Sequence, residues 1–239
     1  MLVSELINSG AQSLKSNKIL SHLLDSELIL SKILKKSREK MLTASEQTVS
    51  SKVIKDFYKL IKRRFNHEPL AYIFNEREFW SKNFFVNINT LIPRPETELL
   101  VERLSKYFKN KKISILDIGT GSGCIILALL EELKNSYGTG IDISKKAIKI
   151  ALKNSNLLNL SHRSKFYNRS LDQIYTRKFD LIVSNPPYIC SHKIKNLSED
   201  IKRFEPRIAL DGGNDGLDVI KKVIYKSTSI LKKKKECLL

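Results

Sequence analysis

Apolar residues recur at helical spacing along the first third of the chain. Ile19, Leu20, Leu23, Leu24, Leu28, Ile29, Leu30, Ile33 and Leu34 form one such series. A second runs from about Val53 to Phe65 through Ile54, Phe57, Tyr58, Leu60 and Ile61. Three- and four-residue spacing places these side chains on one face of a helix. Glycine is nearly absent here and alternation of β-branched residues is weak, so residues 1–75 are expected to form a small helical domain. A bundle of this size suits substrate recognition better than catalysis.

At Glu78 the pattern changes. The stretch EFWSKNFFVNINTLIPRP alternates apolar and polar residues around a turn-like Ser81-Lys82-Asn83, and Pro93 and Pro95 end it. Period-two alternation about a short polar turn predicts a β-hairpin linker over 76–95. A helix from Glu96 to about Phe108 then opens a third segment, 96–239.

From Ile113 onward strand and helix patterns take turns. Ile113–Ile118, Gly138–Ile143, Ser164–Asn168 and Phe179–Ser184 read as strands; Cys124–Lys134 and Lys145–Asn156 read as the helices between them. Such alternation argues an α/β domain with a parallel, Rossmann-like sheet covered by helices. After Pro187 the pattern is loop-like to Gly216, and Leu217–Leu231 reads as a last helix before KKKKECLL. About four strands are legible. The expectation is therefore that the C-terminal strands are missing, leaving Phe179–Val183 at a sheet edge, and that a frameshift in a lysine tract truncated the coding sequence.

Composition narrows the field. The chain has 239 residues and 41% hydrophobic residues, ordinary for a globular protein with a packed core. No apolar run reaches the roughly 18–20 residues needed to span a bilayer. The N-terminus lacks a basic, apolar signal pattern, and no membrane partner is expected. Cys124, Cys190 and Cys237 lack metal-ligand spacing, so neither a disulfide framework nor a metal site is expected; a reducing cytoplasm fits. The net charge of +18 is spread along the chain and seldom interleaved with aromatics. It reads as solvated lysine, and no direct nucleic-acid contact is expected from it.

Two segments carry candidate chemistry. Asp117-Ile118-Gly119-Thr120-Gly121-Ser122-Gly123 follows an apolar strand and opens an apolar helix. Glycines there let the chain turn sharply and let a ligand approach the main chain. About twenty residues on, Asp142 ends the next strand, where a carboxylate can accept both hydroxyls of a ribose. NAD and S-adenosylmethionine share that contact, and G-x-G-x-G rather than G-x-G-x-x-G tilts the reading toward S-adenosylmethionine.

The second segment is Asn185-Pro186-Pro187-Tyr188, directly after Phe179–Ser184. In a doubly wound sheet it converges with the glycine loop beyond the carboxyl ends of the strands. An amide nitrogen is a poor nucleophile because its lone pair is delocalised. Two acceptors, the Asn185 side-chain oxygen and the Pro186 carbonyl, would orient its N–H groups and stabilise the developing charge. The prolines add no competing N–H and hold the carbonyls in place. Tyr188 offers a flat face to a planar amide or a base.

With these residues in hand, the chain resembles the glutamine-N5 methyltransferases of peptide-chain release factors (HemK/PrmC). The resemblance is carried by Glu68–Ile73, Glu78-Phe79-Trp80, Leu91–Glu98 (LIPRPETE), the DIGTGSG loop, Val183–Ile189, Phe204–Leu210 and Gly212 to Asp218. It implies a class I methyltransferase domain behind a helical domain and a hairpin. It implies S-adenosylmethionine as cofactor, held by the loop Gly119, Thr120, Gly121, Ser122 and Gly123 together with Asp142. It implies that Asn185, Pro186, Pro187 and Tyr188 hold the glutamine of a release factor's Gly-Gly-Gln loop, with Asn185 reaching the cofactor as well. Where the family often has an aromatic residue, Leu171 is expected to cover the adenine. Methylation of a nucleic-acid base amino group, and a truncated non-catalytic remnant, are the alternatives. The residue types alone leave the roles of Arg94 and Glu96 open.

Overall fold

The computed structural model describes residues 1–175 and 178–238, with backbone alone for 233–238. The thiol of Cys237 and the terminal Leu239 lie outside the described side chains. The chain divides into two compact units, Met1–Phe74 with Glu199–Phe204, and Asn75–Ser198 with Glu205–Leu239.

The first unit is helical: α1 (Val3–Ser16), α2 (His22–Leu34), α3 (Arg38–Leu42), α4 (Ser51–Phe65) and α5 (Leu70–Phe74). The helical spacing explains its core, because Leu6, Leu14, Ile29, Leu30, Phe57 and Ile61 face inward and are buried. Inside it the Arg64 guanidinium pairs with Asp25 at 2.6 Å, so neither buried charge is left alone. Leu20, Leu23 and Leu24 belong to the same apolar series yet are exposed.

The second unit opens with an antiparallel hairpin, β1 (Glu76–Phe79) and β2 (Lys82–Phe85), followed by α6 (Glu98–Tyr107). Trp80 and Ser81 make the tight turn with positive φ. Then come β3 (Ser114–Ile118), α7 (Cys124–Glu132), β4 (Tyr137–Asp142), α8 (Lys145–Leu157), β5 (Ser164–Asn168) and β6 (Phe179–Ser184). The chain continues through α9 (Glu199–Phe204) to α10 (Asp218–Ile230) and β7 (Leu231–Leu238). The five strands form one parallel sheet in the order β5-β4-β3-β6-β7.

Period-two alternation sorts the strand residues between the two faces. Ile115, Leu181 and Val183 pack with α7 residues such as Ile126 and Leu129. Leu116, Ile118 and Ile182 pack on the other face with Val223 and Ile230 of α10. All six residues of β6 are buried, as expected for a strand covered on both faces.

Two expectations need correction. First, β6 is not an edge: the lysine-rich Leu231–Leu238 runs beside it, with Leu181 opposite Glu236 and Val183 opposite Leu238. A row of lysines has no apolar period, so nothing in its pattern spells a strand. The free backbone donors and acceptors of β6 make it one, and charged residues suit an outermost strand. Lys232 also pairs with Asp180 of β6 at 2.8 Å. Second, the stretch from Pro187 to Gly216 is not all loop. It contains a 3-10 turn at Ser191–Asn196, the helix α9 and a further 3-10 turn at Arg207–Ala209.

Candidate active site

The sheet order places β3 in the centre, with β4 and β5 on one side and β6 and β7 on the other. The connection from β3 leads one way and that from β5 returns past it, so a crevice opens beyond the carboxyl ends of β3 and β6. In register, Ile118 sits beside both Ile141 of β4 and Ser184 of β6. The segments that follow, beginning at Gly119, Asp142 and Asn185, therefore leave the sheet at one level. Ser184 Oγ donates to the Ile118 carbonyl at 2.8 Å and ties the two strand ends together immediately before Asn185.

A cavity of about 460 Å³ occupies this crevice, a size typical of small-molecule sites. Gly119, Thr120, Gly121, Ser122, Asp142, Leu171, Asn185, Pro186 and Pro187 all line it. Gly123 does not; it precedes the first residue of α7 with φ of 80°. Tyr188 does not line it either, and its side chain stands 63% exposed.

Gly119 and Gly121 have φ of +71° and +55°, in the left-handed region where a side chain is strained. A Cβ on Gly119 would meet no protein atom within 4 Å, and one on Gly121 would meet only the Gly119 carbonyl at 3.9 Å. The loop thus shows bare backbone beside open space. Positive φ, not side-chain packing, calls for glycine at these positions, and the open space beside them leaves room for a ligand against the main chain.

Asp142 braces the loop. One of its oxygens accepts the Gly121 N–H at 2.9 Å and the other accepts the Ser144 N–H at 2.8 Å. Burial raises its pKa, and the two backbone donors oppose the shift. Each oxygen keeps lone-pair capacity for further donors. Asp117 lies deeper. Thr120 Oγ1 donates to one of its oxygens at 2.7 Å, while the other is buried with no partner among the described residues. Burial pushes this carboxyl up to about 7, with the Thr120 hydroxyl opposing and the charge of Asp142 assisting. Burial likewise pushes the Cys124 thiol up to about 12, which leaves it a poor nucleophile.

The glycine loop, the braced carboxylate and the apolar cover at Leu171 fit an adenosyl group. Open space over bare backbone is the observation that makes the fit specific. At the other end of the crevice, the segment after Asn185 is held by a short parallel pairing. Ile189 N–H donates to the Leu210 carbonyl and Gly212 N–H to the Ile189 carbonyl.

Three further residues organise the site, and of these the sequence marked only Arg94, without giving it a role. Arg94 lines the cavity and pairs with Glu205 at 2.6 Å. Asn154 on α8 donates to the Ser122 carbonyl. Arg94 lies in LIPRPETE and Glu205 in FEPRIAL, so a charged residue inside an apolar, proline-bearing segment was the available signal. Asn154, on the buried face of α8, had a similar one: an amide where the period calls for an apolar residue.

Comparisons with known proteins agree with this geometry. The family model described as PrmC N-terminal domain matches residues 5–74, and that described as Methyltransferase small domain matches residues 95–207. A release factor glutamine methyltransferase of Buchnera aphidicola subsp. Acyrthosiphon pisum is 42% identical over 221 residues, covering 91% of this chain and 79% of that protein. One from Clostridium acetobutylicum is 36% identical over 236 residues, covering 97% of this chain and 83% of that protein. Among solved structures, the catalytic domain of hMettl16 aligns with a TM-score of 0.53 at 18% identity, over 72% of this chain and 65% of that chain. That likeness shows the fold alone.

Proposed function

Because this chain belongs to the release factor glutamine methyltransferase family, we propose that it methylates the side-chain amide nitrogen of the glutamine in the Gly-Gly-Gln motif of a peptide-chain release factor. S-adenosylmethionine is the methyl donor. The reaction would take place in the cytoplasm, where termination of translation occurs.

The observation that carries this reading is the continuity of one cavity from the bare glycine backbone at Gly119–Gly121 to Asn185 and Pro186. The first end fits an adenosyl group. The second carries two acceptors, the Asn185 side-chain oxygen and the Pro186 carbonyl, which would meet the two N–H groups of a primary amide. When bound, S-adenosylmethionine would supply a methyl group from its sulfonium, whose sulfur leaves as the neutral thioether of S-adenosylhomocysteine without a general acid, while the methylated nitrogen releases one proton to solvent. The work left to the chain is to align the amide nitrogen and to accept hydrogen bonds that strengthen as positive charge develops on it. Tyr188, exposed at the end of the motif, is available to pack on the flat face of the incoming amide.

The test is incubation with methyl-labelled S-adenosylmethionine and a bacterial release factor, followed by peptide fragmentation. Label on the Gly-Gly-Gln glutamine, and none on a release factor lacking it, is the expected result. A chain that binds the cofactor yet labels nucleic acid and not that glutamine would overturn the reading.

A further inference from the structure

The cavity wall formed by residues 88–97 has little regular structure between β2 and α6, so its position depends on side-chain ties. Two hydrogen bonds connect it to residues more than a hundred positions later, and both end on one carboxylate. Ile92 N–H donates to Glu205 Oε2 at 3.2 Å, and Arg94 Nη2 donates to Glu205 Oε1 at 2.6 Å. The Glu205 side chain is 1% exposed and that of Arg94 31%. A buried carboxylate is tolerated only when its oxygens are matched by donors, and here one fixed N–H and one cation do so. The residues following Glu205, namely Pro206, Ile208 and Ala209, line the cavity as well.

Three cationic residues line the cavity among the described residues: Arg94, Arg169 and Lys222. Arg169 stays at the Asp142 end, where its N–H donates to the Asp142 carbonyl and its guanidinium lies over Tyr167. Lys222 pairs with Asp172 at 2.6 Å. Arg94 is the cation tied to the segment that pairs with the chain after Asn185. A guanidinium has five N–H donors in a rigid fork, and a single Nη2 contact to Glu205 leaves donors to spare.

We propose that Arg94 receives the carboxylate of the cofactor's amino-acid moiety, and that Glu205 is the positioning residue that aims its guanidinium. This rests on S-adenosylmethionine as the ligand of the cavity, whose adenosine end belongs at Asp142 and Leu171. The carboxylate lies at the opposite end of that molecule. A fork clamped by one carboxylate is pre-oriented for a second, so little side-chain freedom is lost on binding.

The experiment compares two ligands by calorimetric titration of the full chain: S-adenosylhomocysteine, which has the carboxylate, and 5′-methylthioadenosine, which lacks it. In Arg94→Gln the preference for S-adenosylhomocysteine should fall at least ~10-fold, the size expected for a lost charge-assisted contact. Affinity for 5′-methylthioadenosine should stay within about twofold, since no adenosine contact is touched. Glu205→Gln keeps an acceptor for one donor but loses the charge and should fall between Arg94→Gln and the unmodified chain. A merely structural role would lower the unfolding temperature and leave the ratio of the two affinities unchanged, and that result overturns the proposal. Should Glu205→Gln not fold, Arg94→Gln decides alone. If the unmodified chain binds neither ligand, the methyltransferase reading fails and this inference with it; if it binds both without preference, this inference alone fails.

Discussion

The Asn154 side-chain nitrogen donates to the Ser122 carbonyl at 2.8 Å, joining the interior of α8 to the glycine loop. The same amide donates to the Phe85 carbonyl at 3.0 Å and accepts the Phe85 N–H at 2.7 Å. One buried side chain therefore ties the cofactor loop to the hairpin. Replacing it with alanine strands up to three main-chain groups, of which the Ser122 carbonyl is in the interior. Asn154→Ala should lose about 2–4 kcal/mol of stability, read from urea unfolding. Cofactor affinity should fall too, because the loop loses its anchor. Unchanged stability would show that water replaces the amide without cost.

Gly121→Ala separates ligand fit from folding. The added methyl meets no protein atom closer than 3.9 Å, so the stability cost is limited to placing alanine at positive φ, about 1–2 kcal/mol. The methyl projects into the space assigned to the cofactor. Calorimetry should show affinity for S-adenosylhomocysteine lowered at least ~10-fold, well beyond what a loss of that size in folding alone produces for a protein still folded. Equal affinity in the two proteins would place the ligand elsewhere.

Asn185→Ala should leave the unfolding curve nearly unchanged, because the residue lines the cavity and its side chain makes no hydrogen bond among the described residues. Turnover on the release factor should drop by about 1.5–3 kcal/mol in transition-state stabilisation, roughly 10- to 150-fold in kcat/KM. Steady-state kinetics with normal turnover would remove Asn185 from the acceptor role.

Asp117 predicts a pH dependence of stability with a definite sign. Its folded pKa, about 7, lies above the ordinary aspartate value, so the folded state holds a proton that the unfolded chain has released. Stability from this group is complete below about pH 4 and is lost as pH rises through about 7. Asp117→Asn retains an acceptor for Thr120 and removes the titration. The stability of Asp117→Asn relative to the unmodified chain should therefore rise between pH 4 and 7, by of order 4 kcal/mol at most. Chemical denaturation across that range gives the difference directly, and parallel curves would mean that Asp117 is ionised in the folded protein.

Much of the fold could be read from periodicity. The expected bounds of Ser164–Asn168 and Phe179–Ser184 coincide with β5 and β6, and the helix pattern of 53–65 lies within α4. The hairpin starts where the alternation put it but ends at Phe85 rather than near 95, and it turns at Trp80-Ser81 rather than Ser81-Lys82-Asn83. These elements are legible because burial on a strand or a helix face imposes a local period on the residue types. The glycine loop, Asp142 and Asn185-Pro186 were legible for a related reason: each follows a strand, and a parallel sheet brings the carboxyl ends of its strands together.

Other features leave no local trace. The strand β7 exists because β6 offers unpaired backbone groups to whatever chain lies beside it, and lysines satisfy those as well as valines do. Leu20, Leu23 and Leu24 carry the same helical spacing as the core leucines but face outward, since spacing specifies a stripe and not what covers it. The pairing of Arg94 with Glu205 spans 111 positions, and Asn154 meets Phe85 across 69. The sequence by itself determined the class of sheet, the ends of its central strands and the motifs placed there, because these follow from local periodicity and from one rule of topology. The tertiary structure alone decided which charged and amide side chains clamp those motifs, because a hydrogen bond between distant segments depends on where the whole chain brings its donors and acceptors to within about 3 Å.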